Sequence, residues 1–385
     1  MTHTNLTVYG ATWCGDCKRA KKFLGEQRVH YEWVDVEQDA AGLALVERMN
    51  KGKRIIPTIV FHDDDGFLVE PSNAELAKKL GLQTAARLSY YDLICIGGGP
   101  ASLTAALYAA REGLDVLVIE KSGLGGQAGV TERLDNFPGF PDGIAGGEFA
   151  DRLTTQARRF GVELLQAQEV IGLREEEESK YVTTADGNEY GARAVLIATG
   201  STYKRLGVPG EDELIGAGVH FCATCDGPFY KGQHVAVIGG GNSAGEESLF
   251  LTRFVDKVTI LVRGAEMTAS KIVIDKVQDS PKIEVRYNTE VAQLHGEARL
   301  TGLTLRDRST GATELIEPKG VFVFIGLTPN TGWLLAEIKL DKYGFIVTQP
   351  NLETSMRGVF AAGDVRLGST KQAASAAGEG ATVAL

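Results

Sequence analysis

Four of the five cysteines in this 385-residue chain fall in two Cys-x-x-Cys pairs, Cys14/Cys17 in "TWCGDCKRAKKF" and Cys222/Cys225 in "FCATCDGPFY". Two intervening residues bring the sulfurs to disulfide distance across one turn. A sulfur that opens a helix also faces unpaired amides and the positive end of the helix dipole, which favours its thiolate. Dithiol–disulfide exchange is the chemistry this spacing allows. A four-cysteine zinc site is the structural alternative, but zinc pairs stand about 15 to 20 residues apart, whereas Cys17 and Cys222 lie on either side of a domain boundary. Cys14 opens an expected helix and reads as the attacking thiol, with Cys17 resolving. Asp226, directly after Cys225, is placed to take and return the proton that thiol exchange must move; its alternative reading is a helix or turn cap. Cys95, inside "DLICIG", reads as a small core residue.

Two glycine turns supply a second chemistry. "YDLICIGGGPASLTAALYAAREGLDVLVIEK" is a βαβ unit with Gly97 and Gly99 in its turn, Ser102 where a third glycine would stand, and Glu120 closing the second strand, where a carboxylate accepts from ribose hydroxyls. "QHVAVIGGGNSAGEESLFLTRFVDKVTILVRG" repeats the pattern with Gly239, Gly241 and Ala244 in the fingerprint positions. Here the strand runs out at Val262 and Arg263, and a positive group there suits a 2′-phosphate better than a bare ribose. Each turn follows an apolar strand and opens a helix, so backbone amides can approach a pyrophosphate closely. Two such units imply two dinucleotides; tight turns in an α/β core without a ligand are the alternative.

The elements that must hold these groups follow from periodicity. Leu6 to Tyr9 reads as a strand, Lys18 to Gln27 as a helix with Ala20, Phe23 and Leu24 on one face, "YEWVDV" as a second strand, and "EQDAAGLALVERMNKG" as a helix ending at Gly52. "RIIPTIVF" is strand-like despite Pro57. A last helix, Asn73 to Leu80, stops at Gly81, and "GLQTAARLS" reads as a linker. The length predicts two or three domains. A formal charge of −10 and a pI near 5.3 exclude nucleic acid or an anionic membrane surface as the main partner. Apolar stretches such as "VFVFIGL" are far shorter than the roughly 18 residues of a membrane span. The first residues lack signal-peptide character, so a cytoplasmic location is expected.

Residues 90–385 resemble the low-molecular-weight thioredoxin reductases. The matching motifs are "GGGPAS", "GLGGQ" from Gly123 to Gln127, "NFPGF" at Asn136, "ATG" at Ala198, "FCATCDG", "GGGNSA", "GLTPNT" at Gly326 and "VFAAGD" ending at Asp364. Residues 1–80 resemble glutaredoxin-like proteins of the mycoredoxin and NrdH type, with "WCGDC" as active site and a cis proline at Pro57. The resemblance implies an α/β chain: a thioredoxin-fold domain (1–80), a linker (81–89), an FAD domain (90–204 and 328–385), and an inserted NAD(P) domain (205–327) carrying the second Cys-x-x-Cys. Both larger domains would be Rossmann-like.

Carried over residue by residue, the FAD contacts fall on Gly97, Gly99, Pro100, Ala101, Glu120, Gly126, Gln127, Asn136, Gly200, Gly363 and Asp364. Lys371, Gln372 and Ala373 stand where the family has Arg-Gln-Ala. Nucleotide contacts fall on Gly239, Gly241, Asn242, Ser243, Ala244 and Arg263. In that family Cys225 would face the flavin, Cys222 would exchange with the protein substrate, and Asp226 would serve as acid and base in a homodimer. The implied path runs from NADPH or NADH through FAD to Cys222/Cys225, then to Cys14/Cys17, and out to a protein disulfide of thioredoxin, glutaredoxin or peroxiredoxin type. Val262, Arg263, Gly264 and Thr268 replace the family's arginine cluster, which leaves a flavin-dependent dithiol oxidase or a ferredoxin-fed reductase as alternatives.

Overall fold

Strand β1 (Leu6–Gly10) buries Leu6 and Val8 completely, and helix α1 (Gly15–Glu26) lays Ala20, Phe23 and Leu24 against them. Each of the larger side chains contributes about 1.5–3 kcal/mol by leaving water. The computed structural model describes residues 6–63, 66–131, 133–334 and 338–385, with the side chains of Thr224 and Cys225 outside the described set. β2 (Glu32–Asp35) runs parallel to β1, and β3 (Thr58–Phe61) and β4 (Gly66–Val69) follow antiparallel, giving sheet order β2-β1-β3-β4. Helix α2 (Ala40–Met49) starts where the Asp39 carboxylate accepts from the Gly42 amide at 2.8 Å. Helix α3 (Asn73–Lys79) starts in a capping box of Ser72 and Glu75. The Ile56–Pro57 peptide is cis, and the strand begins only after it.

The chain forms two compact units, one of Met1–Arg133, Phe137–Gly200 and Pro329–Leu385, the other of Leu134–Asn136 and Ser201–Thr328. In the first, β5 (Tyr90–Ile96) and β6 (Val116–Glu120) pair in parallel with helix α4 (Pro100–Arg111) between them. Strand Glu163–Gln166 extends the sheet beyond β6. On the other side β5 pairs with Glu189–Ile197, which leads to an antiparallel run through Ser179–Thr184 and Val170–Glu176. Near-continuous burial of β5 and β6 is what a parallel sheet covered on both faces requires. Helix Ala373–Ala384 lies on α4 so closely that a Cβ on Gly380 would come 2.1 Å from the Ala101 carbonyl oxygen.

The second unit holds a five-stranded sheet in the order Val219–His220, Gly320–Val323, His234–Ile238, Lys257–Leu261, Ile283–Arg286, parallel at every pairing. A separate three-stranded antiparallel sheet (Thr289–Gly296, Leu300–Asp307, Thr313–Ile316) accompanies it. Among the described residues no helix is long and apolar enough to cross a membrane.

Candidate active site

Cys14 is the N-cap of α1, and its Sγ accepts from the Cys17 amide at 3.1 Å. The helix therefore begins three residues before Lys18, because a cysteine side chain takes the capping place usually filled by serine or aspartate. Cys14 donates in turn to the carbonyl oxygen of Ile56 at 3.7 Å, beside the cis proline. Cys17 is 1% exposed. A Cβ on Gly10 would meet its Sγ at 2.8 Å, so the glycine is what lets β1 pass this close. Burial, reinforced by the hydrogen bond with Cys14, pushes the Cys17 thiol up to about 12. Both cysteines are free thiols, and exposed Trp13 stands beside them with the Arg54 guanidinium 6.0 Å from its ring.

A labelling result follows. A thiol held well above the ordinary cysteine range by burial stays protonated at pH 7, so limiting iodoacetamide should modify Cys14 and spare Cys17 in the reduced protein. Labelling of Cys17 should grow only as pH climbs toward 12. Peptide mass mapping checks this; equal labelling at pH 7 would contradict the assignment of Cys14 as attacker.

The first glycine turn has the shape of a phosphate cradle. Gly97 sits at φ +100°, where a Cβ would lie 2.4 Å from the Ala198 carbonyl oxygen. Gly99 caps α4 with open space where its side chain would be, and Pro100 occupies the first turn, where no amide hydrogen is needed. Helix α4 has no side-chain cap, which leaves its N-terminal amides for a ligand. The Gly125 amide donates to the Gly98 carbonyl at 2.8 Å, bringing Gly126 and Gln127, at the start of helix α5 (Gly126–Val130), against the turn.

Glu120 lies beneath the turn, and its carboxylate accepts from the Gly98 and Ser122 amides. Burial raises its proton affinity, and the two amides hold it down. A carboxylate has lone pairs left for ribose hydroxyls after two such bonds. The chain's return brings Gly363, in contact range of Ala101, with Asp364 next to it. Lys371 Nζ donates to the Asp364 carbonyl at 2.6 Å. Burial raises the Asp364 carboxyl and lowers the Lys371 ammonium. Gln372 caps the final helix, and Ala373 begins it. Gly200, at φ +69°, ends the segment after Ala198. These residues fit a flavin dinucleotide. Asn136 is grouped with the second unit instead.

In the second unit Gly239 takes φ +145°, and a Cβ there would lie 2.4 Å from the Phe324 carbonyl oxygen and 3.0 Å from the Ala244 Cβ. Gly241 is the N-cap of helix Asn242–Leu251, which has no side-chain cap bond, and Asn242 Oδ1 accepts from the Ser270 amide at 2.6 Å. A cavity of about 1090 Å³ opens over this turn, lined by Gly241, Ser243, Arg263, Glu266, Glu290 and Arg306 among others. It has the size and the amide donors of a dinucleotide site. Arg306 and Glu290 are absent from the motif reading because they enter from the separate antiparallel sheet. The Glu290 carboxylate pairs with Arg306 at 2.5 Å and with Arg308 at 3.2 Å.

Cys222 is disulfide-bonded, and the Cys225 side chain lies outside the described residues. Helix Ala223–Asp226 is a single turn closed by the Asp226 amide on the Cys222 carbonyl at 3.1 Å. Asp226 makes no side-chain cap bond to the 3₁₀ turn that follows. Its Oδ2 instead faces Nδ1 of buried His220 at 3.4 Å, and His220 Nε2 is 2.6 Å from the Tyr230 hydroxyl. Tyr230 closes over Gly320, where a Cβ would sit 2.6 Å from its ring. The spacing gives no sign of this His220–Asp226–Tyr230 chain. Only the position of a histidine two residues before Cys222 could have hinted at it. Such a chain can store and pass a proton next to the dithiol.

Residues 91–380 match the family described as pyridine nucleotide-disulphide oxidoreductase. The chain belongs to that family. Residues 6–65 match glutaredoxin. The chain is 45% identical over 296 residues to the thioredoxin reductase of Streptomyces clavuligerus, covering 76% of this chain and 92% of that one. It is 43% identical over 302 residues to the bifunctional thioredoxin reductase/thioredoxin of Mycobacterium leprae, covering 78% and 66%. Among solved structures, the thioredoxin reductase of Streptococcus pyogenes aligns with a TM-score of 0.73 at 37% identity over 77% of this chain and 96% of that one. As a family member with a glutaredoxin domain, the chain is a flavin-dependent disulfide reductase, and FAD and a pyridine nucleotide are its cofactors. Its α/β class agrees with the sequence expectation.

Proposed function

We propose that the enzyme carries two electrons from a reduced nicotinamide, through FAD, to Cys222/Cys225, then to Cys14/Cys17, and finally to the disulfide of a thioredoxin- or peroxiredoxin-type protein. The observation that carries this reading is two dithiol centres in one chain, each with its own local chemistry: an amide cap on Cys14 and a carboxylate–imidazole pair beside Cys222. When bound, the two cofactors supply hydride transfer and two-electron reduction of a disulfide. FAD would be held by 90–204 and 328–385, with Glu120 on the ribose and the α4 amides on the pyrophosphate. The nucleotide would be held by 205–327. A homodimer is part of the reading.

The chain's own residues do the rest. The Cys222 thiolate attacks one sulfur of the acceptor disulfide, forming an S–S bond and expelling the other sulfur as a thiolate. That thiolate takes a proton from Asp226. Cys225 then attacks Cys222 Sγ, restores the Cys222–Cys225 disulfide, and releases the second acceptor sulfur. With Cys14/Cys17 as acceptor, Cys14 takes the mixed disulfide and buried Cys17 leaves as the thiol. Outward transfer repeats the sequence: Cys14 attacks the partner disulfide beside the flat face of Trp13, and Cys17 resolves. Fusion makes transfer to Cys14/Cys17 an event within one chain.

Anaerobic addition of NADPH and NADH separately to flavin-loaded protein tests the donor side. Rapid bleaching by either supports the reading and ranks the two. A flavin that dithionite bleaches but neither nucleotide does would refute it. On the acceptor side, Asp226→Asn should lower disulfide turnover by about a hundred-fold, the scale of a lost general acid, and should flatten the pH profile while bleaching persists. An unchanged profile would remove Asp226 from the proton path.

A further inference from the structure

The seam between the redoxin and the sheet that follows it is built of specific polar contacts. Arg28, just past the end of α1 and at φ +55°, reaches across with both arms of its guanidinium. Nη1 donates to the Leu124 carbonyl at 2.9 Å and Nη2 to the Asp151 carboxylate at 2.7 Å. Gln27 Nε2 donates to the Ser122 carbonyl at 2.8 Å. The receiving surface is relieved of side chains to admit these groups. A Cβ on Gly129 would stand 3.0 Å from Arg28 Nη1, whereas one on Gly147, in helix α6 (Gly146–Arg159), would make only ordinary contact with Arg28 Cδ at 3.4 Å. Gly123 is tightest: a Cβ there would lie 1.8 Å from the Glu26 carbonyl oxygen. The backbone at 123 does not have positive φ; the close approach of the Glu26 carbonyl leaves no room for a side chain there.

A second, separate set of bonds removes slack from 81–89. The Glu163 carboxylate, its side chain 2% exposed, accepts from Gln83 Nε2, the Arg87 amide and the Tyr91 hydroxyl at 2.5, 2.7 and 2.8 Å. The Gln166 amide donates to the Gln83 carbonyl at 2.8 Å. The segment that reads as a linker is held along the sheet by these bonds.

We infer that the redoxin is a docked station and not a tethered arm, with Arg28 the positioning residue that fixes α1, and so Cys14 at its other end, on the 122–129 loop. Reducing and oxidising partners then come to Cys14, which keeps one orientation. Both bonds are partly buried, and the one to Asp151 joins two charged groups, which makes it about twice as strong as a neutral hydrogen bond.

Hydrogen exchange on flavin-loaded full-length protein tests this. Arg28→Glu sets a second carboxylate against Asp151, and Gly123→Ala puts a methyl group into the Glu26 carbonyl. Each should speed exchange of amides in 24–29 and 122–129 by at least about tenfold while the β1–β3 core keeps its protection. Combining Arg28→Asp with Asp151→Arg should recover most of that protection, a rescue that a merely unstable variant would not show. Unchanged exchange in both single variants, or no recovery in the exchanged pair, would overturn the docking. The readout requires no turnover, so it stands whether or not electrons follow the relay proposed above.

Discussion

In a Cys222→Ser variant, bleaching of the flavin by reduced nicotinamide persists while turnover of every disulfide acceptor falls by at least about a thousand-fold. The size follows from the chemistry. Serine keeps the shape of the turn that Asp226 closes on the Cys222 carbonyl, but a hydroxyl near neutral pH offers almost no anion, and its oxygen does not exchange into an S–S bond. Nucleophile removal costs on this scale in enzymes where the nucleophile acts as part of a unit. The loss belongs to the outward step alone, so stopped-flow bleaching and steady-state acceptor reduction must be read on the same sample. If acceptor turnover survives, another sulfur makes the attack and Cys222 is not the exchanging thiol.

Cys14→Ser carries the second large effect. A protein disulfide served through the redoxin loses at least about a thousand-fold in rate, whereas a small aromatic disulfide that Cys222 reaches directly is reduced as before. Cys17→Ser behaves differently. With the resolving thiol gone, Cys14 still attacks, and a mixed disulfide with the acceptor accumulates as a band on a non-reducing gel. The asymmetry comes from the structure: Cys14 Sγ takes the amide at the helix start, while Cys17 is buried behind it with its thiol pushed up by burial. If neither variant alters any acceptor, the redoxin lies outside the electron path.

What could be read before the fold was known is what depends on near neighbours. The glycine turns and the Cys-x-x-Cys spacing are local, so strand, turn and helix followed from them, as did the buried setting of Cys95. Helix boundaries moved where a side chain did something its type rarely does. Helix α1 starts at Gly15 because Cys14 caps it, and α2 starts at Ala40 because Asp39 closes on Gly42, leaving Glu37 outside to meet Arg54. Strand β3 covers only the second half of its apolar run, beginning at Thr58 after Pro57. The groups that stayed hidden are joined only by tertiary structure. His220 meets both Asp226 and Tyr230 through the packing of a parallel sheet against a 3₁₀ turn. Arg306 and Glu290 reach the nucleotide cavity from another sheet. Arg28 and Asp151 are 123 positions apart, and no periodicity links them.

Cys95 gives the molecule a reporter of its own breathing. It lies fully buried in β5, and burial holds its thiol well above the ordinary range. No thiol reagent reaches it without opening the sheet, and no exchange partner can use it. Alkylation of this one site therefore requires large-scale opening, and where reclosing outpaces labelling its rate follows the population of the open form. A time course of its modification, followed beside the fast labelling of Cys14, converts a redox enzyme into a clock for the integrity of its own core.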